Sequence, residues 1–135
     1  MEIDKLLVEL RRLNLPEDEF AIFGSGCLAI RGKKEAKDLD LVVLPELWEV
    51  LAKKYPVAEG GWGPKAHLTE NIEAIDKPAI GFSASEVIKG ADIFDGIRFV
   101  KLEVLREWKI RLGREKDLAD IKLIDKLISD EKNGR

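Results

Sequence analysis

The stretch Asp38-Leu39-Asp40-Leu41-Val42-Val43-Leu44 decides the fold prediction. Its second half is a continuous apolar run, which is typical of a central strand rather than an exposed edge. Residues two apart on a strand point to the same face, so Asp38 and Asp40 share a face while Leu39 and Leu41 point into the core. Neighbouring carboxylates repel each other, and a hard divalent cation such as Mg²⁺ relieves that repulsion. The pattern therefore predicts that Asp38 and Asp40 bind a metal ion together. The alternative is that both are ordinary strand residues exposed to solvent.

A glycine-serine turn precedes this strand. The apolar run Phe20–Phe23 reads as a buried strand closed by Gly24-Ser25-Gly26, and residues 27–30 read as the first turns of a helix. Glycine lets a ligand approach the backbone, and the start of a helix offers free N–H groups to a phosphate. Ser25 is predicted to cap this helix. The alternative is an ordinary tight turn with no ligand.

Apolar periodicity and turn residues outline the rest of the chain. A helix is predicted over 2–13, and Pro45 is expected to begin another whose apolar face carries Leu47, Trp48, Val50 and Leu51. Residues 60–64 read as a loop or hairpin. They are followed by short strands at 65–69 and 71–76.

The C-terminal half contains further signals. Ser83 or Ser85 is expected to cap a short helix, and Asp95-Gly96 is a hairpin turn signal. Two amphipathic helices follow, the first ending at Gly113 and the second carrying its apolar face on Leu118, Ile121, Ile124, Leu127 and Ile128. The polar tail 129–135 is predicted to fray. The fold class is α+β, a mixed β-sheet flanked by helices with a C-terminal helical pair, in one domain over 1–135.

Composition narrows the functional classes. The chain has 135 residues, one cysteine and a formal net charge of −3, so we expect one cytoplasmic domain without an intramolecular disulfide. No apolar run is long enough to span a bilayer, which predicts no membrane association. The excess of acidic over basic residues argues against sequence-independent binding of nucleic acids. A local basic patch on the surface is still compatible with this net charge. The lone histidine, His67, is interpreted as structural, because zinc sites need more ligands.

Taken together, the motifs resemble the signature of the DNA polymerase β-like nucleotidyltransferase superfamily. The order is a strand, Gly24-Ser25, a helix, a linker of about a dozen residues, and then Asp38-x-Asp40 in a second strand. The resemblance implies that Gly24 and Ser25 hold a nucleoside triphosphate such as ATP. It also implies that Asp38 and Asp40 ligate two Mg²⁺ ions together with a third acid from a later strand.

Glu73, in Asn71-Ile72-Glu73-Ala74-Ile75, is the preferred candidate for that third acid. Many members of the superfamily carry Asp at this point, so Glu73 is a mild departure. Asp76 is the alternative, and Glu70 competes if the strand begins later. Glu73 and Asp76 lie an odd number of positions apart, so a regular strand places them on opposite faces and only one serves.

The C-terminal half is similar to small prokaryotic nucleotidyltransferase-like proteins, some of which act in abortive-infection or toxin–antitoxin systems. The similarity rests on Asp95-Gly96-Ile97-Arg98-Phe99-Val100, on Trp108-Lys109, and on Gly113-Arg114-x-Lys116-Asp117-Leu118-x-Asp120-Ile121. It implies that Lys109 contacts the triphosphate. A solvated helix surface with weak salt bridges is the alternative for Lys109, Arg114 and Lys116.

The resemblance implies a Mg²⁺-dependent enzyme that moves a nucleoside monophosphate to an acceptor hydroxyl, with Asp38, Asp40 and Glu73 as catalytic and metal-binding residues. The alternative is a non-catalytic module that binds a nucleotide or a protein partner, for example a toxin–antitoxin component. Because no acceptor-binding domain is evident, a protein partner or a second copy of the chain is expected to supply that surface. Among acceptors, nucleic acid is less favoured than a small alcohol or a protein side chain.

Overall fold

The computed structural model describes residues 3–60, 63–77 and 81–133. Its helices are α1 (Ile3–Arg12), α2 (Ser25–Ala29), α3 (Pro45–Lys54), α4 (Ala84–Lys89), α5 (Leu102–Leu112) and α6 (Asp117–Lys132), with a 3₁₀ turn at Glu17–Glu19. Its strands are β1 (Phe20–Phe23), β2 (Leu39–Val43), β3 (Val57–Gly60), β4 (Gly63–Thr69), β5 (Ile72–Ile75), β6 (Asp92–Phe94) and β7 (Ile97–Phe99). The predicted α+β class, mixed sheet and C-terminal helical pair are confirmed.

The strands form one sheet in the order β3-β4-β5-β2-β1-β7-β6. β2 lies near its middle, antiparallel to β1 and parallel to β5. This central position matches the apolar run from Leu41 to Val43, whose side chains are fully buried. Two antiparallel hairpins, β3–β4 and β6–β7, extend the sheet on either side.

The two faces of the sheet are covered by different helices. Trp108 of α5 stacks on Phe23 of β1 with ring centroids 4.2 Å apart, so α5 lies on the face that carries Phe23. Ile22 points the other way, and a Cβ added to Gly26 of α2 would meet its Cγ2 at 2.6 Å. α2 therefore packs on the opposite face, at a distance that only glycine allows.

Local signals in the sequence explain several element boundaries. Ser83 caps α4 by accepting from the Glu86 N–H, and the Glu86 carboxylate accepts from the Ser83 N–H, which is a complete capping box. Gly113 ends α5 with φ 62°, and Pro45 occupies the first turn of α3. The hairpin turn at Asp95-Gly96 is confirmed.

Other boundary predictions were wrong. Ser25 does not cap α2, because the helix already includes it and Gly24 is the capping residue. Asp38 lies just before β2, and Asn71 and Asp76 lie outside β5. α6 continues to Lys132, past the predicted fraying point at Ser129.

Two predicted core residues are exposed, and one strand was missed. Val50 and Leu118 are each 58% exposed. β3 ends at Gly60 and pairs antiparallel with β4, which begins at Gly63, so the hairpin alternative for residues 60–64 is confirmed. The strand β3 itself was not predicted. Trp62, whose flanking glycines make it a candidate for covering a bound nucleotide, lies outside the described residues. No helix within the described ranges has the length and apolarity that crossing a membrane requires.

The contact between Gly26 and Ile22 gives a stability prediction. Gly26→Ala places a methyl group against Ile22 in a fully packed layer, so we expect the free energy of unfolding to fall by about 1–3 kcal/mol. Urea denaturation followed by circular dichroism measures this. Ser25→Ala, one residue earlier on the same helix, is the control and should change stability by less than about 0.5 kcal/mol. Equal stability of both variants would contradict the close packing of α2 on the sheet.

Candidate functional site

The register of the sheet lines up four side chains of three chemical types: aromatic, carboxylate and imidazole. Asp40 is paired with Phe23 on one side and with Glu73 on the other, and Glu73 is in turn paired with His67. Cross-strand partners project from the same face of a sheet. Phe23, Asp40, Glu73 and His67 therefore form a row across β1, β2, β5 and β4, on the face covered by α5.

This row distinguishes among the candidate third acids. Glu73 is the partner of Asp40 in the parallel ladder. Asp76 follows the far end of β5 and lines a small separate cavity with Gly63 and Pro64. Glu70 is exposed in the turn before β5. The structure thus places Glu73, rather than either alternative, beside Asp40.

The acids around Asp40 have a clear electrostatic effect. Burial of the Asp40 carboxyl group, followed by the negative charges of Asp38 and Glu73, raises its pKa to about 6, while Lys65 and Lys109 partly oppose the increase. Desolvation and like charge both penalise the ionised form. Negative charge on Asp40 is therefore costly in the folded protein.

The glycine-serine turn lies directly against Asp40. Gly24 has φ 74°, and a Cβ at this position would come within 3.3 Å of the Asp40 Oδ2 atom. Both the left-handed backbone and the short distance favour glycine. Ser25 then begins α2, so the turn and the carboxylate share one opening.

That opening is a cavity of about 330 Å³, here called the charged pocket. It brings together four of the predicted site residues: Gly24, Ser25, Asp40 and Lys109. Neither Asp38 nor Glu73 lines it. Its charged lining residues are Asp40, Asp117, Asp120, Lys34, Lys65, Lys109, Arg114 and Lys116. Five cations against three carboxylates favour an anionic ligand, although the chain as a whole is acidic.

Lys109 is held in a buried ion-pair cluster. Its ammonium lies 3.3 Å from Asp117 Oδ1 and 3.1 Å from Asp120 Oδ2, and the residue is 7% exposed. Arg114 donates two hydrogen bonds to Asp117, at 2.6 and 3.1 Å, and Lys34 donates to both oxygens of Asp120. Lys109, the residue predicted to contact the triphosphate, is thus held in place by Asp117 and Asp120. Each of these two carboxylates is also paired with a second cation.

Burial by itself raises the pKa of Asp117 and of Asp120. For Asp117, the hydrogen bond from Arg114 and the charge of Lys109 outweigh burial and lower the pKa below its ordinary value. For Asp120, the hydrogen bonds from Lys34 and Lys109 have the same result. Both acids therefore stay ionised at neutral pH and hold Lys109 in place.

Sequence reasoning missed several residues of this site. Asp117, Asp120 and Lys65 line the charged pocket, and none of them is among the residues predicted for the site. The available signal was the i, i+3 spacing of Asp117 and Asp120 in the first turn of α6, which places both on one helix face. Lys65 and His67, two apart on β4, also share a face, but only the strand register brings them to Glu73.

The Glu73 carboxylate is oriented toward β4. Its Oε2 atom lies 3.6 Å from Lys65 Nζ, and its Oε1 atom lies 3.5 Å from His67 Nδ1. Within the described ranges, no three His, Cys, Asp or Glu side chains are gathered closely enough to hold a metal ion. A shared ion would require Glu73, about one-third exposed, to turn toward Asp40.

The chemistry of the donor set fits Mg²⁺. Asp38, Asp40 and Glu73 offer hard carboxylate oxygens, which this ion prefers. Burial and the charges of Asp38 and Glu73 raise the pKa of Asp40, and a bound divalent cation would offset both effects. These residues suit the predicted ion by charge and ligand type.

The aromatic pair at the back of the pocket is part of the core. Trp108 is 2% exposed and Phe23 is 8% exposed, so neither offers an open face for stacking. The Trp108 Nε1 atom is buried and has no hydrogen-bond partner among the described residues. Their nearly parallel stack anchors α5, and with it Lys109, over Asp40.

Comparisons with protein-family models, curated proteins and solved structures found no match for this chain.

The raised pKa of Asp40 predicts a gain in stability on its neutralisation. A folded-state pKa of about 6 exceeds the unfolded value of about 4, so this residue's contribution to stability is lost as the pH rises from about 4 through 6. At pH 7.5 without metal, Asp40→Asn should raise the free energy of unfolding by about 1–3 kcal/mol. Urea titrations between pH 4 and 8 measure this. Glu49→Gln, on the exposed face of α3, is the control, and a destabilised Asp40→Asn protein would contradict the electrostatic argument.

The ion-pair cluster predicts the opposite effect for Asp117. Because its pKa is lowered in the folded protein, its contribution is present above about pH 4 and is lost as the pH falls further. Asp117→Asn removes the charged partner of Arg114 and one of the two charged partners of Lys109, and should cost about 2–4 kcal/mol at pH 7. Asp125→Asn is the matched control on α6, since its pair with Arg106 is exposed and is worth less than about 1 kcal/mol. Equal losses in the two variants, measured by urea denaturation, would show that the buried cluster has no special role.

Proposed function

We propose that this chain is a Mg²⁺-dependent nucleotidyltransferase that transfers a nucleoside monophosphate from a nucleoside triphosphate to an acceptor hydroxyl group. The observation that carries the proposal is the position of Asp40. It lies between Glu73 on the neighbouring strand and the Gly24 turn, and it opens into a pocket lined by five cations. Carboxylates beside a cation-lined cavity suit a ligand that brings both metal ions and phosphates.

The glycine-serine turn would position the phosphates. Gly24 keeps the backbone clear of a side chain where the pocket meets Asp40, and Ser25 contributes a hydroxyl group. Lys109 adds a positive charge that its two acidic partners hold in place. Such fixed groups accelerate phosphoryl transfer by orientation and by stabilising developing charge, without covalent chemistry.

The three acids would hold the metal and assist the acceptor. Mg²⁺, when bound, supplies charge stabilisation for the attacking and leaving oxygens. Asp38 and Asp40 are proposed as the main ligands, and Glu73 as the third ligand and the acid nearest to the incoming hydroxyl group. Glu73 does not itself line the charged pocket, although its partner Lys65 does, and we propose that the acceptor approaches from the β4 side of the row.

The proposal also assigns the chain to the polymerase β-like superfamily, near its small prokaryotic members. Its support is the agreement between the motif and the geometry: the Gly24 turn and Asp40, sixteen positions later, are in contact distance across β1 and β2. A cytoplasmic location follows from the proposed use of nucleoside triphosphates. A protein partner or a second copy of the chain would complete the acceptor surface.

Titration of ATP, GTP, CTP and UTP with Mg²⁺ by calorimetry tests the first step. We expect metal-dependent binding that Asp38→Ala/Asp40→Ala abolishes and that Glu49→Gln leaves unchanged, since Glu49 lies on the exposed face of α3. Absence of binding by the wild-type protein to all four nucleotides would overturn the enzyme proposal.

Transfer itself is tested with nucleotides labelled at the α-phosphate and with small alcohols, proteins and RNA as acceptors. Glu73→Gln should lower the rate about 100-fold or more, as expected for loss of a group that acts on the reacting atoms, while nucleotide binding changes little. Binding without transfer to any acceptor would favour the alternative, a non-catalytic nucleotide-binding module of the kind found in toxin–antitoxin pairs.

A further inference from the structure

A second concavity adjoins the charged pocket at the junction of α5 and α6. It has a volume of about 400 Å³, and its walls include Ile110, Gly113, Leu118 and Ile121. Lys109 and Arg114 line both cavities and therefore form the wall that the two cavities share. We call this second cavity the apolar groove.

The two cavities differ in the surface they offer. The charged pocket is lined by eight charged residues, and two of its apolar residues, Leu105 and Trp108, are at most 2% exposed. In the apolar groove, Ile110 is 42% exposed and Leu118 is 58% exposed. Large exposed apolar side chains that share a concave surface indicate a binding site more often than isolated ones do.

Arg114 forms the boundary between the two cavities. Its guanidinium is fixed by two hydrogen bonds to Asp117, which is 2% exposed. A guanidinium held in this way keeps its planar faces for stacking on a flat ring, which a lysine at this position would not offer. The boundary therefore suits a ligand that is anionic on one side and aromatic on the other.

We propose that the apolar groove binds the base and ribose of the nucleotide whose phosphates occupy the charged pocket, an inference that rests on the proposed function. The groove and pocket share Lys109 and Arg114, so a single ligand that follows this wall contacts both. The base packs on Ile110 and Leu118, and Arg114 lies beside it. Because this recognition depends on buried apolar area, purine nucleotides bind more tightly than pyrimidine nucleotides.

A comparison of two ligands isolates the groove. Inorganic tripolyphosphate carries the phosphates of a nucleotide and lacks the base, so it serves as the probe of the charged pocket. Calorimetry with Mg²⁺ compares tripolyphosphate, ATP and CTP on the wild-type protein, on Leu118→Ala and on Ile110→Ala. Val50→Ala is the matched control, because Val50 is also 58% exposed on a helix but lies on α3.

We expect Leu118→Ala and Ile110→Ala each to weaken ATP binding about fivefold, with a smaller loss for CTP and a change of less than about twofold for tripolyphosphate. Val50→Ala should bind all three ligands like the wild type. Unchanged ATP affinity in both groove variants, or equal losses for ATP and tripolyphosphate, would overturn the base site while leaving the proposed function intact. A wild-type protein that binds neither ATP nor tripolyphosphate would overturn both.

Discussion

The pairing of β2 with β1 and β5 is the constraint on which the rest of the site depends. It places Asp40 between Phe23 and Glu73 and holds all three on one face. The opposite face carries Leu39, Leu41 and Ile72, which are fully buried. A shift of one residue would exchange the two sets and bury the carboxylates, so the apolar side chains enforce the register that assembles the acids.

The two walls of the charged pocket have opposite electrostatic character. On the sheet, burial and the neighbouring acids Asp38 and Glu73 raise the pKa of Asp40, so its ionised form is disfavoured. On the helical pair, Asp117 and Asp120 are kept ionised by cations, and their lowered pKa values show that this arrangement is favourable.

The sequence was most informative where a local interaction controls the structure. The capping box at Ser83, the turn at Asp95-Gly96 and the end of α5 at Gly113 each follow from a few neighbouring residues. The errors arose where packing overrides periodicity. Val50 and Leu118 have the spacing of core residues, yet each is 58% exposed among the residues that the structure describes. Leu118 instead lines a concave surface outside the core.

Three features of the candidate site could be recognised from short-range pattern alone: the Asp38-x-Asp40 pair, its central strand and the glycine-serine turn. Their residue types and spacing suffice because a strand has a fixed period and a turn has fixed backbone demands. The placement of Glu73, the buried pairing of Lys109 with Asp117 and Asp120, and the position of Lys65 and His67 beside Glu73 were decided by the tertiary structure. These contacts join segments distant in sequence or depend on burial, and neither strand register nor burial can be read from a local pattern.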